Sequence, residues 1–166
     1  MIEIYPDLEM LSAAAAQLFA EQAERAVEAQ GRFSVALSGD STPRHLYELL
    51  AQPPFRDRVP WAKVHVFWGD ERCVPVDDPR SNYRLARQAL LDHVPIPNGQ
   101  IHPILCSQQP REAAERYETL LRTSFTSQPP RLDLVFLGLG ENGHTASLFP
   151  DTPVLEEQQR WVANVE

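Results

Sequence analysis

Three polar loops of this chain carry the residue types that could do chemistry, and each loop follows an apolar run. The loops read "SGDSTP" after "FSVAL", "GDERCVP" after "KVHVFW", and "GENGHTAS" after "LDLVFLGL". Because the carboxyl ends of parallel strands lie at one edge of a sheet, the three loops are predicted to meet in one crevice. A crevice that holds hydroxyls, carboxylates, an arginine and a histidine is a candidate catalytic site.

The third loop contains the candidate general base. His144 lies in a glycine-flanked turn, and an imidazole titrates near neutral pH and can take a proton from water. The glycines from Gly138 to Gly143 have the G-x-G-x-x-G spacing of a dinucleotide loop, but Pro150 would end the helix that such a loop requires. A histidine that only hydrogen-bonds within its own loop is the alternative. Catalysis by His144 is favoured because the other two loops accompany it.

The first loop is predicted to bind an anion. A turn from a strand into a helix exposes backbone N–H groups and the positive end of the helix dipole, and Thr42 and Pro43 supply an N-cap and a first-turn proline. The alternative is an ordinary turn with a capping threonine. The residues predicted to bind a phosphate here are Ser38, Gly39, Asp40, Ser41 and Thr42.

The second loop places three charged residues directly after a strand. Arg72 can bind a phosphate through two parallel hydrogen bonds, while Asp70 or Glu71 can accept from sugar hydroxyls or orient a histidine. Taken alone, such charges are more often only solvated, which is the interpretation given to Asp77, Asp78 and Arg80.

Composition limits the classes of function. The 166 residues are 43% hydrophobic, enough for one domain over 1–166, and the net charge of -8 argues against a nucleic-acid or anionic-membrane surface. Lys63 is the only lysine, so a bound phosphate must rely mainly on arginine. Cys73 and Cys106 form no C-x-x-C pair, which predicts reduced thiols, and no leader or membrane-spanning run is visible. We therefore expect a cytoplasmic protein, a monomer or weak homo-oligomer, with no metal and no cofactor.

Apolar runs alternate with helical patterns, which predicts an α/β fold with a mostly parallel sheet and helices on both faces. The predicted strands are "IEIY", Phe33–Ser38, Lys63–Gly69, Leu132–Leu139 and a fifth, "RWVANVE", cut off by the end of the chain. The predicted helices are Asp7–Gln30, one beginning after Thr42, one capped by Ser81, and one over "REAAERYETLLRTSF".

The three loops together resemble the 6-phosphogluconolactonase family. "ALSGDSTP" is similar to its Ser-Gly-Gly-Ser-Thr-Pro phosphate loop, "WGDERCVPVDDPRSNYR" to its Asp-Glu-Arg-x-Val-Pro segment with the following Ser-Asn, and "LGLGENGHTASLFPDT" to its Asp-Gly-His-Thr-Ala-Ser-Leu-Phe-Pro loop. The resemblance implies a Rossmann-like fold and hydrolysis of 6-phospho-D-glucono-1,5-lactone in the oxidative pentose phosphate pathway, without a cofactor.

The resemblance also implies roles for single residues. His144 would activate water, and Gly39, Ser41, Thr42 and Arg72 would hold the phosphate of a sugar phosphate. Loop N–H groups near Gly39 and Gly143 are our physical suggestion for the oxyanion, with Gly140 shaping the same loop.

The chain departs from the family pattern at three points. Asp40 replaces the second glycine and is predicted to point outward or weaken binding. Asn142 replaces an aspartate; an amide can orient the ring of His144 but cannot stabilise an imidazolium by charge, so either the rate falls or Glu141, Asp70 or Glu71 takes over. The family also continues beyond "VANVE", so we expect the C-terminal part of the domain to be absent.

Two rival functions remain. Glucosamine-6-phosphate deaminases and related isomerases resemble the phosphate loop but carry Asp-Glu-Tyr and Gly-His-Ile-Ala-Phe where this chain has "DER" and "GHTAS". A non-catalytic sugar-phosphate-binding module is compatible with Asn142, and binding without turnover would identify it.

Overall fold

A parallel three-stranded sheet forms the centre of the computed structural model, which describes residues 2–106, 108–126 and 130–165. The strands are β1 (Phe33–Leu37), β2 (Val64–Trp68) and β3 (Leu134–Val135), in the order β2-β1-β3. Val35 of β1 pairs with Val66 on one side and Leu134 on the other. The predicted parallel sheet is confirmed.

Five α-helices flank this sheet in the described residues: α1 (Leu8–Gln30), α2 (Ser41–Leu50), α3 (Phe55–Arg58), α4 (Asn82–Ala89) and α5 (Pro110–Ser124). Single 3-10 turns cover Trp61–Lys63, Leu91–His93, Asn98–Gln100 and Pro153–Glu156. Local capping sets the long first helix, because the Asp7 side chain accepts from the N–H of Met10 at 2.8 Å and Gly31 ends the helix at φ 78°. The predicted helices are confirmed to within a residue or two of their ends.

Helices cover both faces of the sheet. On one face, Phe19 of α1 packs edge-on against Phe33 of β1, with ring centroids 5.3 Å apart. On the other face, Phe67 of β2 contacts Phe125 at the end of α5, with centroids 5.2 Å apart. β1 is consequently buried along its whole length, as expected for a central parallel strand. This packing fixes the carboxyl ends of β1 and β2, where two of the polar loops begin.

Several predicted elements are wrong or displaced. Residues 2–5 form no strand, and Ile2 and Ile4 are 91% and 90% exposed because no neighbouring strand pairs with them. β3 has two residues instead of eight, and residues 160–165 of the predicted fifth strand are irregular, since within the described ranges no strand lies beyond β3 to bond them. Helix α2 begins at Ser41 with Asp40 as its N-cap, so Thr42 is already in the first turn.

The prediction of reduced thiols is also wrong. Cys73 and Cys106 form a disulfide across 33 residues of sequence. Cys73 follows β2, and the segment before Cys106 pairs with the same strand through a parallel bridge between Ile101 and Val66. The fold therefore brings together two cysteines whose spacing in the sequence gave no sign of a pair.

Two histidines lie together on the face of the sheet that packs on α5. The Nδ1 atom of His65 and the Nε2 atom of His102 are 3.2 Å apart, and the rings are stacked. Burial lowers the pKa of both rings, and the nearby charge of Arg32 lowers both further. The folded protein therefore favours the neutral form of each ring.

This histidine pair predicts a loss of stability in mild acid. A pKa that is lower in the folded state gives stability that is present above the ordinary value of about 6.5 and decreases as the pH falls through the folded values. Between about pH 7.5 and about pH 5.5 we expect the free energy of unfolding to fall by on the order of 1 kcal/mol or less, because both rings are partly solvated. Urea unfolding at a series of pH values measures this change in the free energy of unfolding. The double variant His65→Gln with His102→Gln should flatten this dependence, and an equal fall in that variant would contradict the assignment.

Candidate active site

The loop of residues 38–42 joins β1 to α2, and the buried side chain of Tyr47 hydrogen-bonds to its backbone. The Tyr47 hydroxyl accepts from the Ser38 N–H at 3.1 Å and donates to the Ser38 carbonyl at 2.7 Å. Burial raises the pKa of this hydroxyl well above its usual range, so it stays protonated. Ser41 and Thr42 are exposed in the first turn of α2. The loop thus presents the positive end of a helix dipole to solvent, which favours an anion.

Asp40 lies in this loop with an unusual backbone. Its φ is 74° and its ψ is 179°, a region that glycine occupies easily and other residues occupy at a cost. The side chain points outward and is 77% exposed, and its Oδ1 lies 3.4 Å from Nη2 of Arg72. The carboxylate therefore contacts the guanidinium that is predicted to bind phosphate.

The side chain of Glu71, in the second loop, binds the first N–H groups of α4. Its two carboxylate oxygens accept from the N–H groups of Asn82 and Tyr83, both at 2.8 Å, and from the Ser81 hydroxyl at 3.1 Å. The N–H of Arg72 donates to the same carboxylate at 2.7 Å. A negative charge at a helix N-terminus is favourable. Glu71 therefore fixes the backbone at Arg72, and the structure does not place it beside His144.

Asp70 connects the second loop to the third. The Ser147 hydroxyl donates to Asp70 Oδ2 at 2.7 Å, and the side-chain amide of Asn82 donates to the Asp70 carbonyl at 3.1 Å. Asn82 in turn packs so tightly against Gly39 that a β-carbon on Gly39 would overlap its side-chain amide. A continuous chain of contacts, Gly39 to Asn82 to Asp70 to Ser147, thus joins all three loops.

His144 is oriented by Asn142. The Oδ1 atom of Asn142 lies 2.6 Å from Nδ1 of His144 and accepts from the His144 backbone N–H at 3.2 Å. Because this atom already accepts from the backbone, it is the amide oxygen, and Nδ1 is the ring nitrogen that donates to it. In the neutral tautomer with this hydrogen bond, the lone pair is on Nε2. The ring also packs on Phe149, with centroids 4.5 Å apart.

Gly140 and Gly143 give the third loop its shape. Gly143 has φ 85°, and a β-carbon on Gly140 would overlap the ring of His144. The N–H of Gly143 donates to the Gly140 carbonyl at 2.9 Å, and the N–H of Gly140 donates to the His144 carbonyl at 2.8 Å. Both N–H groups are therefore already paired within the loop in this conformation.

A comparison of the sequence with protein-family models finds a match that covers nearly the whole chain. Residues 6–166 match the family described as "Glucosamine-6-phosphate isomerases/6-phosphogluconolactonase". The chain belongs to this family. The matched range includes all three loops.

Two curated relatives and one solved structure that are similar to this family member are 6-phosphogluconolactonases. It is 45% identical over 165 residues to the one from Nostoc sp., which covers 97% of the chain and 67% of the relative. It is 49% identical over 142 residues to the one from Synechocystis sp., and this match covers 83% of the chain and 58% of the relative. The structure of the Trypanosoma brucei enzyme superposes with a TM-score of 0.83 at 31% identity, and the match covers 98% of this chain and 68% of that structure. The chain thus spans 58% to 67% of the length of the two curated relatives.

The structure adds three residues to the site that sequence reasoning did not assign. Asn82 and Ser147 join the loops, and the Thr145 hydroxyl is buried without a hydrogen-bond partner among the described residues. The signal for Asn82 was present, because the family segment includes the Ser-Asn pair that this chain has as Ser81 and Asn82. Within the described ranges, no group of three or more His, Cys, Asp or Glu side chains could hold a metal ion, and no helix is long and apolar enough to cross a membrane.

Proposed function

We propose that this family member hydrolyses 6-phospho-D-glucono-1,5-lactone to 6-phosphogluconate, a step of the oxidative pentose phosphate pathway. The observation that carries the proposal is the contact between Nδ1 of His144 and Oδ1 of Asn142 at 2.6 Å, on a loop tied to the Arg72 loop through Ser147 and Asp70. The 45% identical Nostoc relative supports the same reaction. We expect the protein to act as a monomer or weak homo-oligomer in the cytoplasm.

The phosphate end of the substrate would bind at the 38–42 loop. The exposed first turn of α2 supplies N–H groups and the hydroxyls of Ser41 and Thr42, while Arg72 supplies a guanidinium that is 46% exposed. Ser38 and Gly39 complete the loop at the end of β1. Anchoring a dianion here would leave the lactone end of the sugar free to reach the third loop.

The chemical step needs one base and one water. With Nδ1–H donating to Asn142, Nε2 of His144 takes a proton from water as the water oxygen attacks the lactone carbonyl. The carbonyl electrons move to its oxygen, and when they return the bond to the ring oxygen breaks. The imidazolium gives its proton to that leaving oxygen, which yields the open-chain acid and restores His144.

The developing oxyanion needs donors other than Gly140 and Gly143. The buried Thr145 hydroxyl has no partner among the described residues and lies next to His144 in the chain. We assign it to the substrate, together with the N–H of Gly39, because a buried unpaired hydroxyl is costly unless a ligand satisfies it.

Parallel assays with two substrates test the proposed function. The lactone is generated in situ and its loss is compared with the spontaneous rate, and ammonia release is measured from glucosamine 6-phosphate. We expect acceleration only with the lactone. Ammonia release would identify a deaminase instead. Binding of 6-phosphogluconate without acceleration would identify a non-catalytic binding module.

Replacing Asp40 by glycine is expected to strengthen sugar-phosphate binding and to stabilise the fold. Asp40→Gly removes a negative charge close to the proposed position of the phosphate dianion. It also removes the conformational strain of a non-glycine residue at φ 74°. We expect the dissociation constant for 6-phosphogluconate to fall by about threefold to tenfold, and the free energy of unfolding to rise by about 1 kcal/mol. Calorimetric titration and urea unfolding measure the two effects.

The matched control for this variant is Asp40→Asn. It removes the charge but keeps a side chain at the strained position, so it should improve binding with little gain in stability. Weaker binding by Asp40→Gly would contradict the placement of the phosphate beside residue 40.

A further inference from the structure

The disulfide between Cys73 and Cys106 lies directly beside a residue of the proposed phosphate site. Cys73 is the neighbour of Arg72 in the chain. On the other side, Cys106 ends a segment fixed to β2, because the N–H of His102 donates to the Val66 carbonyl at 2.8 Å and the His102 ring stacks on Phe67. The disulfide thus joins the Arg72 loop to a segment that pairs with β2 at Ile101 and His102.

Hydrogen bonds to α4 hold both ends of this loop, through Glu71 and through the Asp77 carbonyl, which accepts from Nη1 of Arg84 at 2.6 Å. Within the described residues, the hydrogen bonds of Val74 and Pro75 stay inside the loop: the N–H of Val74 donates to the Arg72 carbonyl at 2.8 Å, and the Pro75 carbonyl accepts from Asp78 at 3.0 Å. Glu71 holds the backbone N–H of Arg72, but the guanidinium contacts only the exposed Asp40 carboxylate among the described hydrogen bonds. Glu71 therefore fixes the backbone N–H of Arg72, and the disulfide restrains the next part of the loop, at Cys73 and Val74, where the hydrogen bonds stay local.

The disulfide is open to an attacking thiolate. Cys73 is exposed, and Cys106 lines an open groove of about 750 Å³. Two apolar side chains that line the same groove, Val76 and Leu105, are 48% and 55% exposed. Exposed disulfides are the ones that thiols reduce readily, and exposed apolar residues give a protein reductant a surface to contact.

We propose that Cys73–Cys106 is a thiol–disulfide exchange site, at which a dithiol reductant loosens Arg72 and weakens binding of the sugar phosphate. One thiolate of the reductant attacks a sulfur, the S–S bond breaks, and the second thiol of the reductant resolves the mixed disulfide. Two electrons and two protons pass to Cys73 and Cys106, and the reductant leaves as its own disulfide. The effect on binding rests on the proposed function; the exchange chemistry does not.

Reduction should change affinity more than turnover. Arg72 is assigned to the phosphate and not to the reacting carbonyl. A more mobile Arg72 side chain therefore lowers the affinity for the sugar phosphate and leaves the His144 loop in place. We expect the dissociation constant for 6-phosphogluconate to rise by about fivefold on reduction, the order expected when a binding group loses its preorganised position. The oxidised form is then the tighter-binding form.

The experiment compares air-oxidised protein with protein reduced by dithiothreitol. Alkylation and intact mass count free thiols, which should be none in the oxidised form and two in the reduced form. Calorimetry gives the dissociation constant of 6-phosphogluconate for each form. Cys73→Ser and Cys106→Ser should both bind as weakly as reduced protein and should not respond to dithiothreitol. Free thiols in the oxidised protein, or equal affinities in all forms, would overturn the proposal.

A ligand-free readout separates this proposal from the proposed function. Amide hydrogen exchange over residues 72–78 should become faster on reduction and in both serine variants, and unchanged exchange would overturn the proposal. Failure of 6-phosphogluconate to bind in either form would overturn the proposed function alone. A protein dithiol should reduce the bond faster than dithiothreitol at equal concentration; equal rates would overturn the assignment of the groove as its contact surface.

Discussion

Replacing His144 by alanine is expected to abolish nearly all acceleration of lactone hydrolysis. The ring is the candidate base, and a positioned general base contributes about 100-fold to 10,000-fold to a rate. We expect kcat to fall by about that factor, while KM changes little because the proposed phosphate contacts are on the 38–42 loop and Arg72 and not on His144. Initial rates over a range of lactone concentrations, corrected for spontaneous hydrolysis, measure both constants.

The matched control for His144→Ala is His93→Ala. His93 is also a histidine with an exposed hydrogen bond, to the Gln88 carbonyl at 2.9 Å, but it belongs to the 3-10 turn Leu91–His93 away from the three loops. The control should keep the parent rate. A His144→Ala variant that retains the parent rate within a factor of about three would contradict the assignment of the base.

The second large effect is expected from Gly39→Ala. A β-carbon at this position would overlap the side-chain amide of Asn82, which is only 3% exposed and cannot move freely. The displaced amide would disturb Asp70 and, through it, Ser147. We expect a loss of about 1–3 kcal/mol in the free energy of unfolding and at least about tenfold weaker binding of 6-phosphogluconate.

Two further variants separate this clash from a general effect of alanine. Gly99→Ala adds a β-carbon with nothing within 4 Å of it and should leave stability and binding unchanged. Asn82→Ala creates room, so adding Gly39→Ala to it should cost much less than in the parent chain. Equal costs in both backgrounds would show that Asn82 is not the group that Gly39 must accommodate.

The parts of the fold that were predictable are those set by local residues. Asp7 and Gly31 mark the ends of α1, and Ser81 caps α4 by accepting from the N–H of Arg84 at 3.1 Å. β1 was predicted because a strand with both faces buried is a continuous apolar run, and β2, at the edge of the described sheet, was predicted because four of its five residues are apolar. The runs at 2–5, 132–139 and 160–165 were mispredicted, because an apolar run becomes a strand only where a neighbour pairs with it.

The candidate site was predictable in its location and only partly in its contacts. Loops after parallel strands share an edge, so Arg72 and His144 could be placed on one side of the sheet from the sequence. The hydrogen-bond partners could not, because a carboxylate such as Glu71 binds whichever donors lie nearest in space, and those are the N–H groups of α4. The Cys73–Cys106 pair was missed for the same reason.

The most direct test of one shared site is the response of His144 to a ligand anchored at the phosphate loop. Protein with ¹⁵N-labelled histidine rings is titrated with 6-phosphogluconate while the ring resonances of all five histidines are recorded. We predict that the His144 resonances shift with saturation, that those of the half-buried pair His65 and His102 do not, and that Arg72→Ala moves the titration to higher ligand concentration. Saturable binding that leaves the His144 resonances unchanged would contradict the proposed site.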